Sequence, residues 1–165
     1  MENLSLHCTY KEATYSQTGV KKGIDNTPNE VQLSNIKKLL ERVFEPVRKW
    51  HGNALYISSL FRSKKLNTYL GGALSSQHLC DNGAAMDIDA DVYGGLTNKQ
   101  LFLYIKDNLE FDQLILEDID KRGEGQWVHV SYNEGKNRGE VWFMQLIKQG
   151  KKTIKKYIPY GELKP

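Results

Sequence analysis

The stretch SSQHLCDNGAAMDIDADVYGG, residues 75–95, sets His78 ahead of a run of small residues and then three aspartates at alternate positions, Asp87, Asp89 and Asp91. Within it, AAMDIDADV alternates small or apolar side chains with acidic ones, a period of two that predicts a half-buried strand. On such a strand the three carboxylates project to one face and repel unless a cation or hydrogen-bond donors neutralise them. A calcium loop of the EF-hand type also opens on alternating acids, but its sharp-turn glycine is replaced by Val92 and its bidentate glutamate by Asn98. A zinc site asks instead for neutral imidazoles and a carboxylate, with one position open to water if the site is catalytic. His78 before the turn and Asp87 after it meet that demand if the chain reverses between them. His129, in the apolar run WVHVSY, offers a second imidazole, although a lone histidine in such a run also reads as a hydrogen-bonded core residue.

Outward from this stretch the elements are legible as periods. In PNEVQLSNIKKLLERVFEPVRKW, Val31, Leu33, Ile36, Leu39, Leu40, Val43, Phe44 and Val47 recur at three and four, one buried helical stripe. Pro46 ends or kinks it, so the regular part is expected over about 30–45 with a further turn to Trp50. NALYISSLF reads as a strand ending at Arg62, and SKKLNTYLGG as a short helix stopped by Gly71 and Gly72. TNKQLFLYIKDNLE is a second main helix with a threonine start. FDQLILE and QWVHVSY are strands joined by the loop DIDKRGEG, and GEVWFMQLI is a last strand. Residues 1–30 read as turns and ordered loop. One α+β domain over 1–165, with helices packed on a mainly antiparallel sheet, is the economical arrangement.

Composition narrows the function. The chain has 165 residues, 39% hydrophobic and 26% charged, with a net charge of +3 spread among acidic residues throughout, which argues against a nucleic-acid partner. No window suits membrane insertion and the amino terminus lacks a secretory pattern, so synthesis in the cytosol is expected. Cys8 and Cys80 have neither the number nor the spacing of a disulfide framework and are expected to be reduced. The tail KQGKKTIKKY carries five lysines in ten residues, a solvated strand or helix face or else an adhesive patch for an anionic polymer such as a bacterial wall.

Amide hydrolysis at a zinc site also needs a carboxylate to take and return a proton. Glu117 ends FDQLILE just before the loop that returns the chain to His129, so pairing of the two strands would bring it beside that histidine.

Taken in order, YISSLFRSKKLN, LGGALSSQH, GAAMDID, FDQLILE and WVHVSY resemble the zinc D-Ala-D-Ala carboxypeptidase and phage endolysin family of cell-wall metallopeptidases. The resemblance runs from about Leu4 to about Arg138, leaving the basic tail, 151–165, outside it. It implies the hedgehog/DD-peptidase-like α+β fold, a Zn2+ cofactor and the ligands His78, Asp87 and His129. It further implies Glu117 as the base and Arg62 facing the substrate carbonyl or carboxylate. Ser76, Gln77 and Trp127 would sit beside the metal or the substrate. The expected substrate is a peptidoglycan stem peptide, and the expected state a monomer with no nucleic-acid partner and no membrane insertion. The setting would be the bacterial wall, reached through phage lysis.

Two departures stand out. LCDN puts four residues between His78 and Gly83 where relatives have two, which leaves Asp89 as an alternative to Asp87 and brings Cys80 near the metal. Some relatives carry an acid three residues before the last histidine, where this chain has Gln126, an amide that cannot act as a base; Glu124 is then the reserve to Glu117. The rival readings are a non-catalytic zinc module that recognises wall peptides and a metal-free structural domain.

Overall fold

The computed structural model describes residues 2–150 and 152–162. Helices and a six-stranded sheet form it, with strand order β1-β2-β4-β3-β5-β6. The strands are β1 Tyr56–Ser59, β2 Ala84–Asp89, β3 Gln113–Glu117, β4 Trp127–Tyr132, β5 Glu140–Gln149 and β6 Lys152–Pro159. Every neighbouring pair is antiparallel except β3 with β5. This is the mainly antiparallel α+β arrangement expected. Strand parity divides the sheet into two faces. Met86, Ile88, Leu114, Leu116, Val128 and Val130 are fully buried on one of them. The other carries Asp87, His129, Ile115 and Glu117.

The helices are α1 Tyr10–Thr14, α2 Gln17–Lys22, α3 Glu30–Leu39, α4 Glu45–His51, α5 Lys64–Tyr69 and α6 Asn98–Asn108. α3 and α6 pack against the apolar face of the sheet. Both start on capping boxes, Asn29 with Gln32 and Thr97 with Gln100, which satisfy amides that a helix start would otherwise leave bare.

Pro46 does not end its helix. The five residues Leu40–Phe44 between α3 and α4 form a π turn that widens the backbone just before the proline. That spacing absorbs the missing N–H and the ring clash, and the helix runs on to His51. The stripe is buried from Ile36 to Val47, but Val31, at the first turn, is exposed. Likewise β2 stops at Asp89, so Asp91 lies in the following turn and does not share the strand face. β1 is shorter than expected, because Leu60, Phe61 and Arg62 leave the ladder. There the Phe61 amide donates to the Ala13 carbonyl and the Arg62 amide to that of His78.

α1 and α2 are too short to show a period, although Thr9 and Glu12 form a capping box. They support the loop of residues 23–29, where the Asn26 amide group donates to Thr14 and Phe61 carbonyls and accepts from the Ser63 amide. The backbone around Arg62 is thereby fixed from both sides. No helix among the described residues is long and apolar enough to cross a membrane.

Candidate metal centre and catalytic cleft

Three buried side chains converge on the polar face: His78 from the turn Gln77–Leu79, Asp87 from β2 and His129 from β4. Asp87 stands directly opposite His129 on the ladder. One donor atom of each residue lies within 4.8 Å of the other two.

The hydrogen bonds around them assign the tautomers. His78 Nδ1 lies 2.7 Å from the Leu60 carbonyl oxygen, which can only accept, so Nδ1 carries the hydrogen and Nε2 keeps its lone pair. That Nε2 lies 3.2 Å from Asp87 Oδ1. Gln77 donates through Nε2 to the Asp112 carboxylate at 2.6 Å, which turns its Oε1 toward His129 Nε2 at 3.3 Å. His129 therefore donates from Nε2 and leaves Nδ1 free, 2.9 Å from the same Asp87 oxygen. Two imidazole lone pairs and a carboxylate oxygen thus point at one another with their outer hydrogens anchored elsewhere. Such a set is repulsive until a proton or a cation enters it, and two nitrogens with one oxygen is a donor set suited to zinc.

Asp87 shows the same demand. Burial would raise its carboxyl, but charge on His78 and hydrogen bonds from both rings, once protons enter the set, overcome this and hold it well below the usual range. Its second oxygen accepts from Arg62 at 3.0 Å, and Arg62 is itself braced through Nε on Ser59 Oγ at 2.9 Å. Arg62 is therefore tied to Asp87 while still lining the cleft.

The cleft has a volume of about 690 Å³ and is lined by the three candidate ligands together with Arg62, Ser76, Gln77, Glu117 and Trp127. Every residue singled out as catalytic, metal-binding or substrate-binding thus reaches one cavity. Ser76 opens the turn that carries His78, its hydroxyl making no capping bond. Glu117 pairs with Trp127 across the ladder, and Ile115 pairs with His129, so Glu117 is the diagonal neighbour of His129 on the same face. Diagonal neighbours stand roughly 7–8 Å apart, room for a water between Glu117 and the candidate centre.

The doubtful positions resolve by position. Asp89 accepts from Asn98 and is not among the converging donors. Cys80 is buried against the His78 carbonyl, where burial pushes its thiol up to about 12, and it is not among the converging donors. The LCDN segment docks on α3: the Asn35 side chain donates to the Cys80 carbonyl and the Gln32 side chain to Asp81. Glu124 turns to Lys99, and Gln126 uses its backbone on Glu117 and Asn98. Neither lines the cleft.

Asp112, Arg138, Lys155 and Tyr157 also line this cavity. Asp112 sits inside FDQLILE, where Glu117 alone stands out as a site residue. The last two come from the lysine-rich tail, whose alternation gave no sign of a buried partner.

The model of the family described as Peptidase M15 matches residues 6–131 of the chain. No curated protein matches it.

Proposed function

The chain belongs to the peptidase M15 family, whose members are zinc-dependent peptidases, and on that premise we propose that it hydrolyses amide bonds of peptidoglycan stem peptides. The observation that carries this reading is the shared cleft. A three-donor centre with no fourth protein ligand among the described residues, and a buried glutamate one diagonal step away, are the two parts that metal-assisted amide hydrolysis needs.

His78 through Nε2, Asp87, and His129 through Nδ1 would hold the zinc ion, which when bound supplies the Lewis acidity that polarises the scissile carbonyl and acidifies water. The residues of the chain do the rest. Glu117 takes the proton from the attacking water and returns it to the leaving amine. Arg62, held on Asp87, keeps that carboxylate oriented and presents positive charge to the cleft, where a carbonyl oxygen gains negative charge. The Gln77 and Leu60 carbonyls fix the two imidazoles, and Trp127 walls the substrate side. The same proposal covers the setting: a single copy acting on wall peptides, with no nucleic acid or membrane partner, reached through phage lysis.

Replacing Glu117 with Gln keeps the shape and removes the base. Turnover of stem peptides, followed by mass spectrometry of released fragments, should fall by about two to four orders of magnitude, with bound zinc unchanged. Full activity in that variant rejects the assignment. Absence of any fragment from the zinc-loaded wild type leaves the non-catalytic zinc module as the reading.

A further inference from the structure

The family match ends at residue 131, yet the β5–β6 hairpin beyond it reaches back to the cleft. Lys155 on β6 places its Nζ 3.3 Å from Glu117 Oε2, and among the described residues this is the sole hydrogen bond to that carboxylate. We infer that Lys155 is a positioning residue for Glu117, holding one carboxylate oxygen so that the other faces the attacking water. The inference rests on Glu117 being the base.

Strand parity explains why this lysine and not its neighbours. Lys155 pairs with Leu146 and Tyr157 with Met144, and both β6 side chains line the cleft. Lys152 and Lys156 alternate to the opposite face of the strand. The Lys155 side chain is 52% exposed, so water screens its charge, and its contribution is directional more than energetic. Direction is what a buried glutamate needs, because its side chain otherwise rotates freely about three torsions. A misplacement of about 1 Å at a reacting group can cost roughly a hundredfold in rate.

The test compares zinc-loaded wild type with Lys155→Met, Lys155→Arg and Lys156→Met, using defined stem peptides and crystal structures of each. The expected result is a kcat lowered by about tenfold or more in Lys155→Met, with KM within about twofold and zinc content unchanged. Lys155→Arg should recover most of the loss, and Lys156→Met should match wild type. In the Lys155→Met crystal structure the Glu117 carboxylate should leave its place or take several rotamers. The inference is overturned by an unchanged kcat, by a loss confined to KM, or by a Glu117 carboxylate that stays in place without the lysine. An active wild type that is insensitive at Lys155 overturns this inference alone. An inactive wild type overturns the peptidase reading and the role of Lys155 with it.

Discussion

Gln77 stands between Asp112 and His129, and its amide is oriented from behind by the carboxylate. Which nitrogen of His129 faces Asp87 with its lone pair is therefore chosen by a residue outside the converging cluster. Replacing Gln77 with Leu leaves His129 Nε2–H without its acceptor and releases the ring. Zinc affinity, measured by competition with a chromophoric chelator, should fall about 10–100-fold, and turnover at limiting zinc should fall with it. The cluster of His78, Asp87 and His129 was legible because imidazoles and a carboxylate interrupt apolar runs in a recognisable order. Gln77 was legible only as a neighbour of His78. Its working partner, Asp112, lies far along the chain and no local pattern joins the two. Arg62 was expected to face substrate; its side chain also donates to Asp87.

Strands and long helices were readable where burial enforces a period, as in α3, α6 and the two strands around the DIDKRGEG loop. Errors fall where burial stops enforcing it: Val31 on the first helical turn, Asp91 past the end of β2, and the short α1 and α2. The β5–β6 arm was half seen, since TIKKYI alternates without an apolar face to mark its inner side. Gly83 is a position where an element depends on one atom. Its φ is +80°, and a Cβ there would sit 2.5 Å from the Tyr132 carbonyl oxygen, so β2 and β4 could not close at their register. Gly83→Ala should destabilise the fold by about 1–3 kcal/mol, seen as a lower melting temperature, with Asp87 and His129 pulled out of line. An unchanged melting temperature would mean that the turn after LCDN adapts freely.

The whole molecule is closed by a charged clasp. Arg138, in the connection from β4 to β5, donates to both oxygens of Asp112 at 2.8 and 2.7 Å, and Ser131 and Gln77 add further donors. The Arg138 hydrogen bonds, working against burial, hold the Asp112 carboxyl below its ordinary value. A carboxyl lowered in the folded state favours folding above its unfolded value, near 3.9, and that contribution fades as pH falls through the lower folded value. Metal-free wild type should thus lose stability more steeply below about pH 4 than metal-free Asp112→Asn, which should start lower at neutral pH. Thermal melts across pH 2 to 7 compare them; parallel curves would remove the clasp from the acid response. The clasp also directs β5 alongside β3, in parallel, where the arm can reach Glu117. That route has a consequence for synthesis. On the proposed reading, a nascent chain that has emerged through β4 would already carry His78, Asp87 and His129, while Lys155 on β6 would still lie inside the ribosome. Metal capture would then come ahead of the placement of Glu117, which waits for β6.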